Sequence, residues 1–295
     1  MTRICIAITL LLSTLAMSGK SNSQDEFPVL KGPYLGQKPP GLTPELFAPG
    51  IVSTKNNLEI EGVFAPNMNE FYHVRQREGE EPKIQIYRYK NGVWQEPIEE
   101  PRSGEIFIST DDKTMFLGNK YKERTVSGWS EEQSLGPLFE QIPIMRLTAS
   151  ENETYVFDER KEIGTIRYSR LIEGEREEPK AFGEVINSGK LIGHPYIAPD
   201  ESYLIWDSER EGGYGGVDLY ISFRQEDDSW GPAVNMGGDI NTDVDDAYGS
   251  VTADGKYLFF HSIKIGKKGT ENFSEWDANI FWVDAQIIET LRSKQ

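Results

Sequence analysis

Residues 197–220, IAPDESYLIWDSEREGGYGGVDLY, decide the fold. Pro199-Asp200-Glu201-Ser202 is a turn cluster: Pro presets its own φ, and Asp can bond the backbone two residues on. Tyr196-Ile197 before it and Tyr203-Leu204-Ile205-Trp206 after it favour a pleated sheet, so the cluster joins a hairpin. Gly212-Gly213-Tyr214-Gly215-Gly216 is a loop, and Val217 to Ser222 alternates as a third strand. A fourth short strand opens at Trp230-Gly231-Pro232 and ends near Ile240-Asn241-Thr242. Four antiparallel strands in about 50 residues are the size of one propeller blade.

The turn and the strand after it recur. Asn67, Asp111, Glu151, Asp200 and Asp254 occupy equivalent turn positions, at separations of 44, 40, 49 and 54 residues. The strands that follow include Phe71-Tyr72-His73-Val74, Thr114 to Leu117, Thr154 to Phe157 and Tyr257 to Phe260. Third strands are readable at Lys83 to Tyr89, Gly164 to Tyr168 and Asn279 to Val283. In the second copy this strand is hard to place, and 121–134 reads as irregular. Fourth strands start near Trp94 and Glu178. The fifth copy has none, and 285–295 reads as a tail with a short helix. Residues 42–54 instead resemble the end of the fourth copy, with a Pro, an apolar pair, a Gly and then β-branched residues. The expectation is an all-β propeller over 42–284, with five four-stranded blades and an N-terminal strand closing the last. Six blades is the alternative. Such closure leaves no open sheet edge.

The pattern of Pro-Asp-Glu-Ser-Tyr-Leu-Ile-Trp at 199–206, with Ser-Glu-Arg-Glu-Gly-Gly-Tyr-Gly-Gly-Val-Asp-Leu-Tyr at 208–220, resembles the TolB-like, WD40-like periplasmic propeller repeat. Ala253 to Phe260 carries it again, and copies one to three match mainly in turn and second strand. The resemblance implies a propeller fold. For function it implies only that such folds serve as protein-binding platforms, accessory domains or enzymes.

The chain has 295 residues, with 31 Lys and Arg against 48 Asp and Glu, a formal net charge of −17. No basic face suited to phosphates is visible, which argues against nucleic acid. Residues 1–23 read as a cleaved secretory signal: Arg3, then a short apolar run from Ile4 to Leu15 with small-residue cleavage candidates after it. The single cysteine, Cys5, lies at the start of that run, where a lipoprotein cysteine would follow it, so lipidation and thiol catalysis are not expected. Residues 24–41 read as extended. The chain is expected to be periplasmic or secreted, monomeric and without a transmembrane segment.

One propeller face should carry the second-to-third strand loops together with the connections between blades. It collects Asp207, Arg210, Tyr214, His194 and His261 as candidate ligand-binding residues. Trp276, beside Asp277 in a loop, is the tryptophan freest to stack on a sugar. Asp158 and Asp207 share one position in their repeats, as do Arg160 and Arg210 within a residue, which suggests an Asp–Arg brace. Asp243, Asp245 and Asp246 could offer oxygen ligands to calcium, though their spacing is not an EF-hand; a capped, solvated turn is the plainer reading. His73 sits one position earlier in its repeat than His261 and should face the other side of its sheet. No G-x-S-x-G, H-E-x-x-H, P-loop or dinucleotide fingerprint is present. The leading expectation is a module that binds a protein, peptide or glycan on its loop face. The rival is a carbohydrate-active enzyme, a lyase or hydrolase, with its site at the channel mouth.

Overall fold

The structure, a computed structural model, describes residues 27–161, 164–264 and 277–293. Its strands form a series of antiparallel four-stranded units. The first comprises Asn57–Phe64, Glu70–Arg77, Lys83–Lys90 and Ile98–Pro101. The second comprises Ile106–Ile108, Thr114–Leu117, Lys120–Thr125 and Gln133–Ser134. The third comprises Ile144–Ala149, Tyr155–Glu159, Thr165–Ser169 and Lys180–Ala181. The fourth comprises Lys190–Ile197, Tyr203–Glu209, Asp218–Phe223 and Val234–Asn235. The fifth has Asp245–Val251, Tyr257–Lys264 and Asp277–Asp284, and its fourth strand is Glu45–Leu46 from near the N-terminus, with Glu45 opposite Trp282.

The repeated turn has one physical basis. Asn67, Asp111, Asp200 and Asp254 each accept the backbone N–H two residues on, at 2.8–3.3 Å. In the third unit Ser150 Oγ does this work from one position earlier, accepting from Thr154 N. The turn then needs a left-handed residue, and Met68, Asp112, Glu201 and Gly255 all have φ between +58° and +72°. A side chain is strained there and glycine is not, which accounts for Gly255.

Second strands are buried on both faces because successive side chains serve opposite neighbours. Leu204 and Trp206 pack with Val156 and Ile192, while Ile205 packs with Leu147, Leu219 and Val251. That double burial explains their near-continuous apolar runs. An aromatic cluster of Phe47, Phe64, Phe71, Phe259 and Trp282 joins the N-terminal segment to units five and one.

Four sequence readings change. Trp94 does not open the fourth strand of its unit; Val93–Trp94 folds back on the third strand and pairs with Leu30–Lys31. Its indole donates to Gly32 O, so the described part of 24–41 is tied down, with a 3-10 turn at Tyr34–Gly36, rather than simply extended. Trp230 makes only an isolated bridge to Arg224, and the fourth strand starts at Val234. The stretch read as irregular in the second copy contains the regular strand Lys120–Thr125. The tail forms the helix Gln286–Arg292.

Candidate functional site

First strands of four units break register at their midpoint: between Ile60 and Val63, Ile144 and Leu147, Gly193 and Tyr196, and Ala247 and Ser250. A bulge re-aims the side chain that it carries. Glu61, His194 and Tyr248 sit in three of these bulges with φ of +60°, +45° and +63°. Gly62 and Gly249 follow two of them because the neighbouring unit is too close for a Cβ. At Gly62 it would stand 2.9 Å from Ile280 Cγ2, and at Gly249 2.7 Å from Ile205 Cγ2.

A bulge residue's N–H leaves the ladder and needs another acceptor. In each case a side chain on the second strand of the preceding unit supplies it. His194 N donates to Asp158 Oδ2 at 2.9 Å, Tyr248 N to Asp207 Oδ1 at 3.1 Å, and Glu61 N to His261 Nδ1 at 3.2 Å. Asp158 also accepts from Met145 N and Arg146 N. His261 can accept only if Nδ1 is unprotonated, and burial accordingly pushes its pKa down to about 3. Asp158, Asp207 and His261 thus do one job at three joints.

The bulge side chains meet in a buried polar cluster. His194 Nδ1 lies 2.9 Å from Asp207 Oδ1, and Nε2 lies 3.6 Å from Glu105 Oε1. Burial opposes charge on this imidazole, but the flanking Asp207 and Glu105 carboxylates win and hold its pKa well above the ordinary value. Its side chain is 23% exposed, whereas those of Asp207 and Glu105 are 2% and 8% exposed. Arg102 Nη2 donates to Glu61 at 2.5 Å and reaches Glu105 at 3.4 Å. Burial, then the Glu105 charge, raises the Glu61 pKa to about 7 despite Arg102. Burial would also raise Glu105, but His194 and then Arg102 overcome it and hold it below the ordinary range. Burial raises Asp158 to about 6. Tyr248 donates its hydroxyl to Ile106 O at 2.9 Å and offers its ring face to Arg146, whose Cζ is 3.6 Å from the centroid.

The other residues singled out in the sequence lie apart from this cluster. Arg210 donates to the Val185 and Ile186 carbonyls and lies over Tyr220. Among the described residues no ion pair joins it to Asp207, so the shared Asp position braces the next unit's backbone rather than an Arg. Tyr214 is 54% exposed, with its backbone N–H donated to Asp218 Oδ2. Asp246 accepts from Thr242 N, Thr242 Oγ1 and Ser262, Asp245 accepts from Val217 N, and Asp243 points to solvent. Asp246 therefore caps its own loop and Asp245 ties it to the loop before the third strand, and no group of three or more metal-ligating side chains occurs among the described residues. Trp276 lies outside the described residues. His73 stacks on Tyr87 across the sheet from His261's position, as its one-residue offset requires.

Glu61, Arg102, Glu105, Arg146 and Tyr248 are not singled out in the sequence. A weak cue exists for two of them: Glu61-Gly62 and Tyr248-Gly249 place a glycine inside a strand, which often marks a bulge. His194-Pro195 is a third break of the same kind.

No family model matches the chain, and no curated protein sequence matches it. Solved structures similar to it include TolB from Acinetobacter baumannii, with a TM-score of 0.47 at 11% identity over 79% of this chain. The match spans 59% of that TolB chain. The α-L-arabinofuranosidase PaAbf62A from Podospora anserina, solved with cellotriose, gives 0.45 at 10% identity over 82% of this chain and 94% of its own. A TolB described as putative, from Agrobacterium tumefaciens, gives 0.41 at 15% identity over 70% of each chain.

Proposed function

We propose that this chain is an exported five-bladed propeller that binds a protein, peptide or glycan at the mouth of a central channel. The mouth lies on the face of the second-to-third strand loops. In this reading residues 1–23 are a cleaved signal and 42–284 are the propeller. Ring closure is supported by the backbone-catching side chains, which run from unit three to four, four to five, and five back to one. It is supported again by Glu45–Leu46 completing unit five, and by Ala278 pairing with Leu58 of unit one. No described helix is long and apolar enough to cross a membrane.

The observation that carries the binding reading is His194. Like Arg102 it is a partly exposed, positively charged member of the cluster, and it alone is fixed from both sides by Asp207 and Glu105. Glu105 Oε2 beside it is buried with no partner among the described residues, ready for a ligand hydroxyl or amine. Asp158 and Asp207 are committed to backbone N–H groups, so neither is free to be a general acid or nucleophile. The test is a glycan and peptide array probed with the mature protein and with His194→Gln. Binding that the variant loses supports the site. Binding that it keeps removes the ligand from His194, and no binding to either array sinks the reading.

One observation favours the enzyme reading. Glu61 is pushed up and Glu105 down, and two carboxyls driven apart in pKa are the pattern of an acid and base pair. Release of reducing sugar from polysaccharides, abolished by Glu105→Gln, would establish it.

A further inference from the structure

Arg146 is fully buried, and its guanidinium is used on one side only. Nη1 reaches the carbonyls of His194 and Gly249, each at 3.4 Å. Nε and Nη2 have no partner among the described residues. Those two N–H groups form the side-on edge of the guanidinium, the edge that takes two oxygens of one carboxylate in parallel. A buried donor pair without acceptors is costly, so something must serve it.

Arg146 also lines a cavity of about 40 Å³. The walls are mainly apolar, with Val63, Phe64, Phe107 and Val251 from three different units, and Tyr196, Ser250 and Thr252 also line it, of which Tyr196 and Thr252 are bonded within the protein. The rim is formed by first-to-second strand turns, at Pro66, Thr110 and Pro199. Those turns lie at the opposite ends of the strands from the loops beside His194, so this cavity opens on the other face. One charged, bidentate donor at the end of an apolar hole selects a small planar oxyanion with little else that is polar. Tyr248, stacked on the guanidinium face, leaves that edge as the direction of approach. Glu105 is the carboxylate within electrostatic reach of Arg146, but it is shared with His194 and Arg102.

We infer that Arg146 holds a carboxylate in this cavity, entering from the face of the first-to-second strand turns. The same chemistry is carried by a free small acid such as formate or acetate and by the carboxyl terminus of a peptide segment. The site touches the His194 cluster through Arg146 Nη1 but opens on the opposite face and is read by a carboxylate shift rather than by array binding, so the two readings fail separately.

Thermal unfolding of the mature protein tests it, with sodium formate, sodium acetate, acetamide and sodium chloride compared at equal ionic strength. Formate and acetate should raise Tm by roughly 2–4 °C at saturation, with acetamide and chloride giving no such rise. Arg146→Gln should abolish the rise. Should that variant not fold, Thr110→Phe at the rim blocks entry while leaving Arg146 in place, and should abolish it equally. A peptide with a free C-terminal carboxylate that reproduces the shift, where its amidated form does not, assigns the site to a partner segment. A shift with formate and acetate but not with the peptide assigns it to free acids. No shift with any carboxylate, an equal shift with acetamide or chloride, or a shift that survives both variants overturns the inference.

Discussion

The second and fourth units share a turn and a second strand but meet their neighbours in different ways. In unit four Trp206 is followed by Asp207, which takes the Tyr248 N–H of unit five and the ring of His194. In unit two Leu117 is followed by Gly118, at the place that Asp158 holds in unit three. Gly118 has φ of +67°, and a Cβ there would stand 2.6 Å from Ile144 O of unit three. One joint is closed by a carboxylate and the other by backbone lying against backbone. The consequence is a lopsided centre. Side-chain braces run from unit three through four and five to one, and the charged cluster lies along them. Unit two supplies Glu105 and the Ile106 carbonyl but no brace, and its first strand is three residues long.

The sharpest way to break the contrast is at Asp207. Asp207→Ala leaves Tyr248 N–H without its acceptor and the His194 imidazolium with Glu105 alone. Removing one partner of a buried charged pair costs about 3–5 kcal/mol, so urea unfolding should show a loss of that size. A loss below about 1 kcal/mol, the scale of an exposed pair, would mean that the brace is not structural. At the other joint, Gly118→Ala combines a left-handed backbone with a clash against Ile144 O. It should cost about 1–3 kcal/mol. Gly212→Ala is the control: its φ is +81°, but nothing lies within 4 Å of its added Cβ, so its cost should fall at the low end.

The His194 pair also predicts a pH dependence. Its pKa is raised by folding, so its stabilisation is complete below about 6.5, the unfolded value. It is lost as pH climbs through the higher folded value. Glu61, held protonated up to about 7, works in the same direction, because the folded state binds the extra proton. Unfolding free energy should therefore fall by on the order of 1–2 kcal/mol between pH 6.5 and 8.5. His194→Gln should flatten that slope, and an unchanged slope would place the titration elsewhere. The smallest effect is expected far from the joints. Lys113 pairs with Asp111 with both side chains more than half exposed, so Lys113→Ala should change stability by less than about 0.5 kcal/mol.

Much of the architecture is legible in the sequence because its causes are local. The Asx turns at Asn67, Asp111, Asp200 and Asp254 act over two residues, and the apolar runs after them require burial on both faces. Even the exchange of Glu45–Leu46 into unit five is visible, since a missing fourth strand and a surplus one must be matched. The site is legible in part. Asp158, Asp207, His194 and His261 are all conspicuous, and the equivalence of the two aspartates is apparent from the repeat. Their roles are not. The expected partner of Asp207 is Arg210, but Arg210 is spent on the Val185 and Ile186 carbonyls, while the backbone that needs Asp207 is 41 residues further on.

Sequence by itself determined the repeating four-stranded unit, the turns that punctuate it and the acidic composition. Only the tertiary structure decided which side chains face the centre. A bulge shifts the two-residue period by one, so Glu61, His194 and Tyr248 point where alternation alone would not send them. Their partners lie in neighbouring units, and contacts of that range leave no spacing in the chain from which to read them.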